Sequence, residues 1–397
     1  MRIVDVCAFY SPHGGGVRTY VEQKRARAAE CGHELVLIVP GARDAVEHAA
    51  CGARIVHIAS PKLPLDRRYR YFAEAAPVHA ALDRIAPDIV EASSPWRTAS
   101  IVANWPSDVP RALVMHADPM ASYAYRWFGR VAARATIDRH FEWFWSHLRR
   151  TARGHDLVVA ANNQLARRLG EGGVRGSAGI VTIPMGTEPD LFSPNRRDLA
   201  LRRQLIASCG LPEEATLLLG IGRHSPEKRW PTVIDAARIA GVARPIALVL
   251  IGDGPDHKKV VRRAGGNPHV RFLAPIRNRE RLATILASAD ALIHGCESET
   301  FGMVAAEAAA SGLPLIVPDE GGARDLAAPD RAEYYRAGDA RAGAAAIARL
   351  LSRNQLRLRH AAARAAAQMP TMEGHFDALF DRYAALAAAR GDMRLRA

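Results

Sequence analysis

Short apolar runs alternate with amphipathic stretches along this chain, and that alternation restricts its fold more than any other feature. Residues 3–10 form a β-rich run; residues 17–31 have helical composition and end before Gly32, a glycine suited to the position after a helix. Runs at 34–39 and 54–59 read as buried strands, 71–85 as a helix before Pro87, and 88–91, 112–116, 156–160 and 180–184 as further strands. The scheme restarts with a strand at 216–222 and a helix at 229–240, with Pro231 in its first turn. Strands then follow at 246–252, 270–273, 291–294 and 315–318. Helices follow at 256–264, 279–288, 302–311 and 340–351, the last N-capped by Asp339. Continuously apolar strands alternating with helices imply parallel sheets covered on both faces. The expected fold is therefore α/β, with two doubly wound Rossmann-like domains, each binding ligands at the carboxyl edge of its strands. A chain of 397 residues also exceeds what one core organises. Turn-forming residues at 186–195 set the expected limits: an N-terminal domain at 1–188, a C-terminal domain at 189–370, and a last segment, 371–397, helical from about Met372 after the break at Pro370.

Composition removes several function classes. No run of about 20 apolar residues is present, so no membrane-spanning helix is expected. The first residues, Met1 to Val6, read as a strand rather than a signal peptide. Five cysteines (Cys7, Cys31, Cys51, Cys209, Cys296) are scattered without a CxxC pair, which argues for reduced cytosolic thiols and against a disulfide framework or a zinc site. The net charge of +13 suits an anionic partner, though an arginine-rich background gives the same balance.

Glu299 and Glu307 bracket seven residues, with Thr300, Phe301 and Gly302 opening the helix that carries Glu307. Free N–H groups at that helix start suit a phosphate or a sugar hydroxyl, and a carboxylate among alanines can accept from two hydroxyls at once. The competing reading is a helix cap and a solvated side chain. Arg223 and Lys228 follow the strand at 216–222, where two cations could neutralise a diphosphate leaving group; alternatively Lys228 pairs with Glu227 on an ordinary surface loop. Gly14, Gly15 and Gly16 follow the first strand, where a ligand can approach the backbone or the chain can simply turn tightly. Thr19 stands where a GxGxxG fingerprint needs its last glycine, and no acidic ribose ligand follows the second strand, which weighs against NAD. His116, at a strand end, could contact a sugar hydroxyl or shuttle a proton, or be a satisfied core histidine; Asp118 lies two residues on. The turn from Gly252 to Pro255 reads as structural. Two basic–aromatic stretches, 61–72 with Arg67, Arg68 and Arg70, and 124–150 with Trp127, Trp143 and Trp145, suit a membrane interface, nucleic acid or a packed loop.

Taken in order, these motifs resemble the family-4 retaining glycosyltransferases of the GT-B fold. The carrying residues are the Gly14–Gly16 loop, Val114-Met115-His116, and Ile183 to Glu188. They continue with Gly222-Arg223 and Glu227-Lys228, Gly252 to Pro255, Ser298 to Gly302 with Glu307, and Ser311 to Pro314. The resemblance implies two domains facing across a cleft, with a C-terminal helix crossing back to the first. It implies that Arg223 and Lys228 hold the donor diphosphate. Glu299, with backbone at Thr300, Phe301 and Gly302, would contact the transferred sugar, Glu307 the ribose, and Ala274 and Ile276 the base. Gly15, Gly16 and His116 would approach from the first domain. It further implies retention of configuration without an essential metal or any cofactor, the nucleoside-diphosphate sugar being a co-substrate. The chain departs from the family pattern at Met185, at His294-Gly295-Cys296 and at Met372. Its N-terminal motifs look like a subgroup that includes mannosyltransferases acting on bacterial membrane lipids.

The expected activity is thus hexose transfer from GDP-mannose or a UDP-hexose to a hydroxyl of a lipid-linked or glycan acceptor. Glu299 and His116 are the catalytic candidates, and Arg67, Arg68, Arg70 and Asp118 the acceptor or membrane candidates. The expected setting is cytoplasmic, at the inner membrane face, with peripheral contact to anionic lipid open and no specific nucleic acid. Two other readings stand beside it: a GT-B nucleotide-sugar epimerase or hydrolase, and a non-catalytic basic binding protein.

Overall fold

The computed structural model describes residues 1–10, 16–48, 54–64, 66–129 and 131–396. It divides into two compact units, Met1–Pro184 together with Met372–Ala397, and Met185–Thr371. The strands in chain order are β1 (Arg2–Val6), β2 (Glu34–Gly41), β3 (Ala45–His48), β4 (Arg54–Ala59), β5 (Lys62–Leu63), β6 (Asp66–Arg70), β7 (Ile89–Ala92), β8 (Arg111–Met115), β9 (Leu157–Ala160) and β10 (Ile180–Thr182) in the first unit. The second unit holds β11 (Thr216–Ile221), β12 (Ile246–Ile251), β13 (Val270–Leu273), β14 (Ala291–Ile293), β15 (Leu315–Pro318) and β16 (Ala332–Tyr335).

The first sheet runs β10-β9-β8-β7-β1-β2-β4-β3, parallel except for the antiparallel edge strand β3. The second runs β13-β12-β11-β14-β15-β16 and is parallel throughout. In both, the order reverses beside the first strand: between β1 and β7, and between β11 and β14. At such a reversal the connections leave for opposite faces, and a crevice opens outside the carboxyl ends of the strands.

Apolar alternation explains the two-sided burial. Leu217, Leu219 and Ile221 of β11 join one buried cluster, with Val249 and Ile251 of β12. Leu218 joins the cluster on the other face, with Leu248, Leu250 and Trp230. A strand buried on both faces needs no polar face, so it reads as an unbroken apolar run.

In the first unit one face is apolar, with Val4, Val6, Val36, Ile38 and Val90. The other face carries a buried ionic group. Asp5 of β1 and Glu91 of β7 are register partners. Lys24, from the helix Gly16–Glu30, reaches both, at 3.1 Å from Asp5 and in direct contact with Glu91. Ser93 donates to both carboxylates at 2.5 and 2.9 Å, and Tyr383 donates to Glu91 at 2.6 Å. Tyr383 lies on the last helix, Met372–Arg396, which packs on this unit with Arg27 bound to Asp377 at 2.7 Å.

Several elements differ from the sequence reading. The helix expected at 71–85 is Ala76–Ile85, because Pro77 has no N–H to donate and its ring would clash with a preceding turn, so it fits only a first turn. Phe72 O and Ala73 O are taken instead by the Arg97 guanidinium. The helix expected from 229 begins at Trp230, after Arg229 in the left-handed region. Strands β3 and β16 and the helices Arg97–Ala103, Asn163–Glu171 and Leu199–Ala207 were not anticipated. Among the described residues no helix is long and apolar enough to cross a membrane.

Candidate active site

In the second unit, β11 leads into the loop 222–229 and β14 into the loop 294–302, so these loops flank the point where the sheet order reverses. Two ion pairs staple them together. Lys228 contacts Glu299, and Arg229 grips Glu297 through Nε at 2.6 and 2.8 Å, with Nη2 on the same carboxylate. Arg229 has φ 48°, a conformation a side chain rarely adopts, and the two-oxygen grip of Glu297 holds it there. Glu227 accepts from the Ser225 hydroxyl, so Lys228 takes Glu299 rather than its chain neighbour.

Burial alone would raise the Glu299 carboxyl, but the Lys228 ammonium and the His294 imidazole hold it well below the usual carboxylate range. Burial would likewise lower Lys228, and Glu299 raises it instead. Both therefore stay charged at neutral pH. His294 is buried, with Nε2 at 3.5 Å from the same Glu299 oxygen. Arg223 is exposed, and among the described residues no carboxylate pairs with it. The loop thus offers two anchored cations, Lys228 and Arg229, and one open cation, Arg223.

The helix Met303–Ala310 starts one residue later than the sequence suggested, with Gly302 at φ 89° as its cap. Only glycine takes that φ without strain, and it delivers the unpaired N–H groups of the first turn. Phe301 is buried beneath them. Gly321 and Gly322 press on this loop from behind, where an added Cβ would meet the backbone of Glu297 and Thr300 at 2.5 and 2.6 Å.

Glu307, on this helix, is buried with its carboxylate 3.5 Å from Arg279 Nη1; Arg279 also binds Glu188 at 2.7 Å. Burial pushes Glu307 up to about 7, with Arg279 pulling it down and Glu188 adding to the rise. Ala274 is exposed and Ile276 half-buried in the segment after β13.

A metal ion fits this centre poorly. His294, Cys296 and Glu299 offer ligand atoms within 4.8 Å of one another. Yet Lys228 already occupies the carboxylate, and burial pushes the Cys296 thiol up to about 12, so it is not a thiolate ligand. A cavity of about 350 Å³ lined by Ala237, Leu248 and His269 reaches the amino ends of β12 and β13 and contains none of the candidates.

The first unit places its own candidates. His116 follows β8, with its ring edge-on to Tyr20 at 4.8 Å. Burial pushes it down to about 4, with Lys24 and His375 adding to this against the pull of Glu91, so it stands neutral. A neutral imidazole can hydrogen-bond a hydroxyl but holds no extra proton to deliver. Asp118 is buried against Arg168, and its other oxygen accepts from Ala121 N at 3.0 Å. Arg70 donates to Ser60 O at 2.5 Å. Arg67 and Arg68 lie on β6, and Gly16 begins the first helix. Gly15 lies outside the described residues. Glu297, Arg229 and Arg279 were missed by the sequence reading, which named Glu188 within a motif and His294 as a departure without giving either a role; the positions of Glu297 and Arg229 beside named motif residues could have flagged them.

Comparison with known proteins agrees with the two-domain α/β fold. Residues 14–191 match the model described as Glycosyltransferase Family 4, and residues 202–369 that described as Glycosyl transferases group 1. A GDP-mannose-dependent alpha-(1-6)-phosphatidylinositol dimannoside mannosyltransferase of Mycobacterium tuberculosis is 31% identical over 320 residues, covering 80% of this chain and 79% of that protein. A GDP-mannose-dependent alpha-mannosyltransferase of Corynebacterium glutamicum is 28% identical over 331 residues, covering 82% and 74%. Among solved structures, sucrose-phosphate synthase from Thermosynechococcus elongatus superposes with a TM-score of 0.76 at 20% identity, covering 98% of this chain and 99% of that one. Anabaena HepE in complex with UDP gives 0.70 at 17%, covering 97% and 100%. These two likenesses bear on the fold alone.

Proposed function

The chain belongs to glycosyltransferase family 4 and has the GT-B fold, and from that premise we propose that it moves a mannosyl residue from GDP-mannose to a hydroxyl of a lipid-linked glycan, with retention of configuration. That it is a glycosyltransferase using a nucleotide sugar follows from its relatives; the epimerase and binding-protein readings lose their support. The observation that carries the proposal is the stapled pair of loops at the sheet reversal, with Lys228 and Arg223 on one and Glu299 on the other. GDP-mannose is favoured over a UDP-hexose by the names of the most similar relatives, and a glycolipid acceptor by the phosphatidylinositol dimannoside enzyme.

In this reading Arg223 and Lys228 take the diphosphate, and their charge stabilises the phosphate oxygen as the glycosidic bond breaks. Glu299, fixed from two sides by Lys228 and His294, accepts from hydroxyls of the mannosyl ring. The N–H groups after Gly302 complete the cradle. Glu307 accepts from the ribose hydroxyls. The chain works at the cytoplasmic face of a membrane as a peripheral protein.

The test is a stability screen over nucleotide sugars followed by product analysis. GDP-mannose at about a hundred times its Kd should stabilise the chain by roughly 2.7 kcal/mol, and the product from a mannosylated lipid should carry an α linkage. Stabilisation by UDP-hexoses and not GDP-mannose, or a β product, would overturn the assignment.

Glu307 gives this reading a pH signature. Only the ionised carboxylate accepts from both ribose hydroxyls, and its value near 7 sets the midpoint. GDP-mannose affinity should therefore be constant above about pH 8 and weaken below 7, approaching tenfold per pH unit. Glu307→Gln should bind more weakly and show a flat profile by calorimetric titration. An unchanged slope in that variant would remove Glu307 from the ribose site.

A further inference from the structure

We infer that the aromatic–arginine face built by residues 120–129 and 131–153 is a docking surface for an anionic lipid bilayer. The inference rests on the lipid-linked acceptor proposed above, but its evidence lies in a different part of the chain. A helical stretch from Met120 to Phe128 is followed by the helices Arg134–His140 and Glu142–Arg153. The last of these buries Phe144, Trp145, Leu148 and Ala152 in the core. Trp143 lies off that stripe and is 67% exposed, and Trp127 is 57% exposed; the other four tryptophans are buried or half-buried. Tyr123, Phe128 and Val131 are exposed beside them.

These rings form one connected patch. Centroids run from Tyr123 to Trp127 at 5.6 Å, to Phe128 at 6.4 Å, to Phe141 at 6.1 Å and to Trp143 at 6.4 Å. A folded protein rarely leaves such a group of large rings in water without a partner. The patch is held on a fixed frame, since Trp145 Nε1 donates to Asp138 at 3.1 Å and Tyr125 also binds Asp138.

Charge selects the occupant. Residues 120–153 contain seven arginines, no lysine, and only Asp138 and Glu142 as acids, a surplus of five in a chain whose total is +13. Both acids are engaged within the segment, Asp138 as above and Glu142 by Arg149 and Ser146. Arg139, Arg150 and Arg153 are exposed with no ion-pair partner among the described residues. Arg150 is seven residues from Trp143, so the two share a helix face. Aromatic rings settle at the headgroup level of a bilayer, and guanidinium groups bind phosphate in two-point contacts. A second copy of the chain fits worse: a two-fold contact would set the arginine surplus against itself.

The test is co-sedimentation of the full chain with phosphatidylcholine vesicles, with and without phosphatidylglycerol, alongside a GDP thermal shift in the absence of vesicles. The wild-type chain should bind the phosphatidylglycerol vesicles at least about tenfold more tightly than the neutral ones. Trp127→Ser with Trp143→Ser should weaken that binding by about tenfold or more, and Arg139→Gln with Arg150→Gln should remove the preference for the anionic lipid. All variants should keep the GDP shift of wild type, which shows that they are folded. Equal binding to both vesicle types, or unchanged binding by the tryptophan variant, overturns the proposal. So does a dimer dissolved by that variant, or preference for a single-stranded RNA oligonucleotide over vesicles. Loss of the GDP shift in every protein, with vesicle binding as described, would overturn the donor assignment and leave the docking surface standing.

Discussion

Glu299→Gln should lower sugar transfer, assayed with the proposed donor GDP-mannose, by about a thousandfold or more while leaving GDP binding close to wild type. The substitution keeps the shape of the side chain and removes the charge that Lys228 and His294 hold in place. In the proposed reading it therefore strikes contacts to the sugar, whereas the cations on the other loop remain to grip the diphosphate. Lys228→Ala should give the complementary pattern. It removes the proposed phosphate ligand and leaves Glu299 without its ammonium, so both the GDP thermal shift and transfer should fall. A merely structural ion pair predicts something else: both variants would lose stability alike and keep turnover in proportion to folded protein. Steady-state transfer, GDP stabilisation and urea denaturation on the two variants and their double mutant separate these cases. Transfer at the wild-type rate by Glu299→Gln would remove this residue from the chemistry.

The placement of Glu299 and Lys228 was legible because each follows an apolar strand by a few residues, and strand ends are where such sheets bind ligands. Partners drawn from distant segments were not. Arg229 and Glu297 lie 68 residues apart, and no local pattern says that one loop closes on the other. The same holds for Arg279 bridging Glu188 and Glu307. The basic–aromatic stretch shows a second kind of limit. Composition left its tryptophans divided between core and surface, and both answers occur: Trp145 is buried and Trp143 exposed. Helical period would have separated them, since Phe144, Trp145, Leu148 and Ala152 share a stripe that Trp143 leaves. Pro77, by contrast, marked a helix start in the sequence, and the longer helix expected there ignored it.

Lys24→Met should destabilise the first unit by about 3–5 kcal/mol at neutral pH, because it strands two carboxylates on adjacent strands with no cation. Asp5, Lys24, Glu91 and Tyr383 are all fully buried. In the native chain burial pushes Asp5 up to about 6, with Lys24 pulling it back, and Glu91 is held low against burial by Lys24 and Tyr383. Without Lys24 both carboxyls rise above their unfolded values. A raised carboxyl costs stability above its folded pKa, and the cost fades as pH falls through that value. The variant should therefore recover part of its lost stability as the pH is lowered from about 7.5 to about 5, a direction opposite to ordinary acid denaturation. Asp5→Asn in the same background should restore part of the loss at neutral pH, since one carboxylate then keeps the donors Ser93 and Tyr383. Urea denaturation across pH reads all three proteins, and a Lys24→Met loss under about 1 kcal/mol with no pH dependence would show the cluster to be solvated. The cluster also underlies a candidate catalytic group. Tyr20, one turn before Lys24 on the same helix, contacts His116 and bonds His375 of the last helix at 3.0 Å. A helix loosened by Lys24→Met therefore frees the ring that packs on His116, so transfer should fall further than the loss of folded protein alone accounts for.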